Sequence, residues 1–332
     1  MMDKKIVKAE ILFSRQCPLH CSYCAMKNSK QNTRSIDQWK RGMVELKRLG
    51  CKLVAFYGAE PLMEFDKLKH VVGYCEDDIG MDTTIITSGA VPDFEHKLLE
   101  LYEYGAKSLS MSFDPSPSDI STKNKSDNAL ESLIRFRELK GIRDVAAIAT
   151  LNAHNFMEFP NMVRRMTRRG IWSFFDFIHT DRGQVGTKCS NVPQEMMLTK
   201  EHYPAIKDML REVLFLKGRG FLCHTSQYFV DVMNERMDTG NLYSWTCANQ
   251  EPSWVTIDCD GMVYPCDDFT GTHTPTDMLD IYNKWDVFSS ACTLAVQQAD
   301  CRCAWNTHID AHGIMNETVQ LSDYVHGKYV VS

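Results

Sequence analysis

Three cysteines stand within eight residues, in the run Cys17-Pro18-Leu19-His20-Cys21-Ser22-Tyr23-Cys24. Thiols at this spacing in one loop can converge on a single metal centre. A structural zinc ion takes four nitrogen or sulfur ligands, often as two Cys-x2-Cys pairs, and this loop supplies three cysteines. His20 directly neighbours Cys21, which makes joint coordination awkward. A cubane iron–sulfur cluster held by three thiolates, with one iron left open for a reactant, fits the count better. Zinc, or a chance cluster of packing cysteines, is the alternative.

A second group lies toward the C-terminus: Cys247, Cys259, Cys266, Cys292, Cys301 and Cys303. Cys247, Gly261 and Cys266 have the spacing Cys-x13-Gly-x4-Cys. A hairpin predicted from Trp254–Ile257 and Met262–Tyr264, turning at Asp260-Gly261, would fold Cys247 and Cys266 toward each other. Cys301-Arg302-Cys303 then offers two more thiolates close together. Four thiolates suffice for a closed cubane cluster, and a zinc knuckle from the same residues is the alternative. His308, Asp310 and His312 follow. They could bind a metal, but polar residues of a terminal turn account for them as simply.

The chain has 13 cysteines among 332 residues, far below the density of a disulfide scaffold, and the number is odd. No apolar run of signal-peptide type follows the charged first residues. A reducing, cytoplasmic setting is therefore expected, where clustered cysteines are ligands rather than disulfides. Lys and Arg total 37 against 43 Asp and Glu, a net charge of -6. That balance argues against a broad basic surface for nucleic acid or anionic membrane. No stretch approaches the roughly 18 apolar residues of a membrane span.

The elements that must position these cysteines alternate regularly. Strands are predicted at Ile6–Phe13, Lys52–Tyr57, Thr83–Thr87, Lys107–Phe113, Val145–Leu151 and Trp172–Ile178. Helices are predicted from Ser35 to Gly50, and at Phe65–Cys75, Phe94–Tyr104, Ala129–Lys140 and Met157–Arg169. Such alternation implies parallel strands with right-handed crossovers. Six strands are too few for a closed eight-stranded barrel, so the fold class expected is α/β, a partial (β/α)6 TIM-like barrel. The active site of such a sheet lies at the carboxyl ends of its strands, where the first cysteine loop falls. Beyond about residue 185 the rhythm breaks. Helices at Thr199–Leu216 and Gln227–Met237 precede a short-stranded, turn-rich, cysteine-rich α+β module. The division expected is 1–185 barrel, 186–239 helical connection and 240–332 cysteine module.

Cys17-x3-Cys21-x2-Cys24, with aromatic Tyr23 before the last cysteine, resembles the signature of the radical S-adenosylmethionine (SAM) superfamily. The resemblance implies that the three cysteines hold a [4Fe–4S] cluster whose open iron is chelated by SAM. It further implies reductive cleavage of SAM to a 5'-deoxyadenosyl radical that abstracts a substrate hydrogen. Further landmarks fall in order at successive strand ends. Gly58-Ala59-Glu60-Pro61 resembles the Gly-Gly-Glu-Pro segment that binds the SAM amino group, with Ala59 in place of the second glycine. Thr87-Ser88-Gly89 resembles a Thr-Asn-Gly turn. Ser112 and Asp114 resemble a Ser-x-Asp strand ending that contacts SAM, and Thr150 and Asn152 a segment near the ribose and adenine. Read singly, each has a plain structural account as a turn cap or strand end. Their shared position at strand ends favours the functional one.

The C-terminal segment resembles the SPASM/twitch extension of the same superfamily. That implies an auxiliary [4Fe–4S] cluster on Cys247, Cys266, Cys301 and Cys303, with Cys292 or Cys259 able to replace a ligand. Expected partners are an electron donor such as a flavodoxin or ferredoxin, and a substrate. Only 16 residues precede Cys17, which tilts the expectation to a small-molecule intermediate that is oxidised or rearranged, dehydrogenation being favoured. A peptide-modifying maturase with a separate partner, making a thioether, crosslink or epimer, is the alternative. For epimerisation, Cys189, Cys223 and Cys259 are candidate hydrogen donors, although burial for packing accounts for each. A zinc-stabilised, non-catalytic binding protein is the alternative of another class.

Overall fold

The computed structural model describes residues 6–24, 33–115, 127–178, 192–242, 254–267, 276–298 and 309. Six parallel strands lie side by side in chain order: β1 (Lys8–Ser14), β2 (Leu53–Gly58), β3 (Asp82–Thr87), β4 (Ser108–Ser112), β5 (Asp144–Leu151) and β6 (Trp172–Phe177). A helix follows each: α1 (Ile36–Arg48), α2 (Phe65–Gly73), α3 (Phe94–Glu103), α4 (Asp127–Glu138), α5 (Phe159–Thr167) and α6 (Tyr203–Gly218). This is the partial (β/α)6 architecture expected from the alternation.

Strand periodicity divides the two faces of the sheet. Ile11 and Phe13 of β1, Val54 and Phe56 of β2, Val145, Ala147 and Ala149 of β5, and Phe175 and Phe177 of β6 join the core beneath the helices. Leu12 and Tyr57 pack together on the other face. By the same alternation that face also carries Glu10, Ser110, Ser112, Thr150 and Asp176. Parallel sheets are normally apolar on both faces, so the polar lining marks this face for binding rather than packing alone.

Local signals set several boundaries. Ser35 caps α1 through a capping box: its hydroxyl accepts from Gln38 N at 3.3 Å, and Gln38 Oε1 accepts from Ser35 N at 3.0 Å. Such a cap contributes about 1 kcal/mol. Helix α2 gives way at Gly73 to one π-helical turn, Tyr74–Asp78. That turn buries Cys75 in the core and aims Glu76 at Arg143 and Thr83.

Beyond the barrel run α7 (Gln227–Asp238), β7 (Trp254–Ile257), β8 (Met262–Tyr264), β9 (Thr276–Asp277) and α8 (Trp285–Gln298). The predicted hairpin is present, but it does not stand apart. Strand β7 pairs parallel with β1, from Lys8↔Trp254 to Ile11↔Ile257, on the side away from β2. The sheet therefore has nine strands in the order β6-β5-β4-β3-β2-β1-β7-β8-β9. Helix α8 corrects the expectation of a short-stranded, turn-rich segment throughout this region. Trp285, Phe288, Cys292 and Ala295 are buried at helical spacing, a period present in the sequence. Among the described residues, no helix is long and apolar enough to cross a membrane.

Candidate active site

The three-cysteine loop leaves the carboxyl end of β1. Ser14 Oγ accepts from Gln16 N at 3.1 Å, Cys17 Sγ from Leu19 N at 3.4 Å, and Cys21 O from Cys24 N at 3.1 Å. Leu19 is buried and anchors the loop, whereas His20 is exposed and the three thiols are half-buried. Burial pushes the Cys17 thiol up to about 11, and the charges of Glu60, Cys21 and Cys24 add to the rise. Thiolates within one another's field, partly out of water, need a cationic partner to exist together. A polynuclear iron centre supplies that charge, so the donor set fits a cluster.

Beside the loop, β2 turns sharply. Gly58 has φ 137, and a Cβ there would lie 2.4 Å from Ser14 O, so only glycine fits. Ala59 N donates to the same oxygen at 2.9 Å. Glu60 then caps a 3-10 turn, Pro61–Glu64, with Pro61 at its first position. Glu60 has no exposed surface. Its carboxylate accepts from Leu62 N (3.1 Å), Thr87 Oγ1 (2.7 Å), Ser88 N (2.8 Å) and Ser88 Oγ (2.5 Å). Burial raises its pKa, opposed by these four donors. Glu60 and Ser88 thus hold the end of β2 to the end of β3.

Tyr23, Asp114 and Thr150 also meet. Asp114 Oδ1 accepts from Thr150 N at 3.1 Å. Burial and then the Asp114 charge hold the Tyr23 phenol well above its ordinary pKa, while a hydrogen bond with Thr150 opposes them. The loop is therefore tied to the end of β5 at Thr150, which Asp114 in turn joins to the end of β4. Ser112 lies on the polar face of β4, two residues before Asp114. Asn152 is engaged in the turn after β5: its N donates to Asn155 Oδ1 at 2.8 Å and its Oδ1 accepts from His154 N at 2.9 Å.

Of the second cysteine group, Cys266 is buried just after β8, Cys259 is buried in the β7–β8 turn, and Cys292 sits in the core face of α8. Burial pushes Cys292 up to about 12, which suits a packing thiol. Cys223 is buried beside Thr225, 3.4 Å from its hydroxyl. Cys189, Cys247, Cys301, Cys303, His308, Asp310 and His312 lie outside the described residues.

Sequence reasoning missed the contacts across the β1–β7 seam. The Tyr57 hydroxyl donates to Asp267, and Thr256 Oγ1 donates to the same carboxylate at 2.9 Å. Tyr57 immediately precedes Gly58, and Asp267 immediately follows Cys266, so a buried hydrogen bond joins the end of β2 to the segment after β8. The only available signal was the period-two placement of Tyr57 opposite Phe56. The Arg15 guanidinium grips Asp258 with two bonds, that from Nε at 3.1 Å.

A family model described as the Radical SAM superfamily matches residues 11–166. A PqqA peptide cyclase of Rhodopseudomonas palustris is 33% identical over 115 residues, covering 33% of this chain and 29% of the cyclase. The matched stretch thus spans under a third of that relative. SuiB of Streptococcus suis, solved with bound S-adenosylmethionine, superposes with a TM-score of 0.63 at 15% identity, over 89% of this chain and 68% of that one. The protein anSMEcpe, solved with AdoMet and the Cp18Cys peptide, has a TM-score of 0.54 at 18% identity, over 94% and 98%. Signature, strand order and family model coincide on one stretch, residues 11–166, which match the model described as the Radical SAM superfamily.

Proposed function

We propose that the chain is a radical SAM enzyme that modifies a peptide, with Cys17, Cys21 and Cys24 holding its [4Fe–4S] cluster. The observation that carries the cluster reading is the loop itself, three half-buried thiols at the carboxyl end of β1, beside the Glu60 turn. When bound, the cluster and SAM supply one-electron cleavage to a 5'-deoxyadenosyl radical that takes a hydrogen atom from substrate. The chain's residues do the holding. Gly58 and Ala59 let backbone approach SAM closely, while Glu60, Pro61 and Ser88 fix that turn. Tyr23, held by Thr150, walls the site. Ser112 and Asn152 complete the strand-end surface, and the polar face of β4–β6 orients substrate away from water.

The peptide reading is supported by the cyclase, named for the PqqA peptide, and by SuiB, which has been solved with the precursor peptide SuiA. It is preferred here to the small-molecule substrate expected from the sequence, since the position of Cys17 in the chain carries no weight against a peptide. Cys247, Cys266, Cys301 and Cys303 are proposed as ligands of an auxiliary [4Fe–4S] cluster, and a flavodoxin or ferredoxin as the electron source.

Anaerobic reconstitution with iron and sulfide tests the whole. Two cubanes correspond to about eight irons per chain, with dithionite-dependent release of 5'-deoxyadenosine. Cys24→Ala is expected to abolish SAM cleavage, and Cys303→Ala to spare it while product formation fails. Bound zinc without SAM cleavage sinks the reading. For the substrate, a precursor peptide encoded beside the gene should change mass only when SAM is present. Turnover of a small molecule with the peptide unchanged overturns that part.

A further inference from the structure

We propose that Arg15 and Arg34 are positioning residues that clamp both ends of the three-cysteine loop to the β7–β9 segment. Arg15 stands two residues before Cys17, and Arg34 ten after Cys24. Each reaches a carboxylate 243 residues away: Arg15 grips Asp258 with two bonds, and Arg34 Nη2 donates to Asp277 Oδ2 at 2.5 Å. Arg34 Nε also donates to Asp260 O at 2.5 Å, and Arg34 N to Cys259 O at 3.4 Å.

Neither pair is a loose surface contact. The side chains of Arg15 and Asp258 are 16% and 11% exposed, and those of Arg34 and Asp277 are 20% and 31% exposed. The two-bond guanidinium–carboxylate geometry of Arg15 on Asp258 is the strong, orientation-defining form of the interaction, and Arg34 divides its bonds between the Asp277 carboxylate and the Asp260 carbonyl. The turn is cut to receive Arg34. A Cβ on Gly261 would sit 2.6 Å from Arg34 Nε, and Gly261 has φ +80. Below this, Met278 fills a notch at Gly42 of α1, where a Cβ would lie 2.6 Å from its sulfur, and Arg48 of α1 covers the Tyr282 ring at 3.8 Å. The segment that follows the cysteine loop and the segment that turns around β8 therefore pack as one unit. The stretch that carries the three thiols is thus flanked on both sides by arginines held to one sheet edge.

The inference rests on the reading of this loop as the cluster site for its catalytic consequence, but not for the clamp itself. Its test separates the two. Apoprotein of Asp258→Asn, Asp277→Asn and the double variant is pulsed with iodoacetamide, and labelling of each cysteine is followed by peptide mass spectrometry. The double variant is expected to label Cys17, Cys21 and Cys24 roughly five- to ten-fold faster than wild type. Cys75 and Cys223, buried elsewhere in the core, should stay at the wild-type rate. The exchange Arg15→Asp with Asp258→Arg should restore slow labelling at that end. Unchanged labelling of the loop, or an equal rise at Cys75, overturns the clamp, since the pairs would then do nothing or merely support global stability. In reconstituted protein, the double variant should also weaken the SAM-induced change in the electron paramagnetic resonance spectrum of the reduced cluster. A loop loosened by labelling with that change intact keeps the clamp and refutes the catalytic consequence. If no SAM-induced change exists in wild type, the cluster-site reading fails while the labelling result stands.

Discussion

Glu60 is a carboxylate with no exposed surface and four donors upon it, and that arrangement decides what substitution there does. Glu60→Gln turns one acceptor oxygen into a donor facing Ser88 or Thr87, leaving buried N–H or O–H groups unmet. The expected loss of apoprotein stability is about 1–3 kcal/mol, read from urea unfolding, together with weaker SAM binding. No change in either measurement removes Glu60 from the turn's architecture. Asp144, at the amino end of β5, poses the opposite case. Burial raises its carboxyl pKa above 3.8 against the charge of His224, whose Nε2 lies 3.9 Å from Oδ2. The folded protein thus holds that proton more tightly than the unfolded chain. Its contribution is favourable below 3.8 and is lost as pH rises through the elevated value. Asp144→Asn is therefore expected to be more stable than wild type at neutral pH, by on the order of 1 kcal/mol. The gain should shrink as the pH falls through the elevated value and be gone below 3.8. A gain that is constant across the titration contradicts the assignment.

The close approach of β1 and β2 at their carboxyl ends depends on one missing side chain. Gly58→Ala adds a Cβ 2.4 Å from Ser14 O in a backbone conformation that L residues rarely adopt. Strain of this kind costs about 1–3 kcal/mol before the clash is counted. The expected result is a lowered melting temperature and loss of iron uptake, whereas Gly141→Ala, which meets no atom within 4 Å, should keep its cluster. Elements of this kind were legible because their signals are local. Period-two runs with Gly-terminated helices between them located all six barrel strands, and Ser35 with Gln38 marked a helix start. The thiol spacing and the Gly58–Glu60 run are local signals of the same kind, and the structure sets them side by side at the ends of β1 and β2. Three things were not legible. Helix α8 carries a helical period that the density of cysteines around it obscured. The π-helical turn at Tyr74–Asp78 leaves no pattern of its own in the sequence. The pairing of β7 with β1 joins residues some 240 positions apart, and strand partners at that distance are chosen by tertiary packing. Arg15, Arg34, Tyr57 and Asp267 depend on that pairing, so their partners could not be named before it was seen.

At the scale of the whole molecule, the seam between β1 and β7 makes the C-terminal strands part of the barrel's structure rather than an attachment to it. Val255, Ile257, Val263, Met278 and Ile281 are fully buried in the same core as Ile11, Phe13 and Trp39. Burial of each such side chain is worth roughly 1.5–3 kcal/mol, so together they rival the entire 5–15 kcal/mol margin of an ordinary domain. Removing them also strips β1 of a partner from Lys8 to Ile11, leaving an open edge that templates association with other chains. A chain ended at Leu242 is therefore expected to aggregate, or to stay expanded with no cooperative melt, on size-exclusion chromatography and circular dichroism. A cleanly appended module would behave otherwise: its removal would leave a monomeric barrel with an intact three-thiol loop. A monodisperse, cooperatively melting fragment 1–242 would refute the unity of the sheet. The distinction matters for chemistry, because β1 is the strand from which the cysteine loop departs. If the strand cannot hold its place without β7, formation of the first site is coupled to folding of the second cysteine segment, and damage at either is expressed at both.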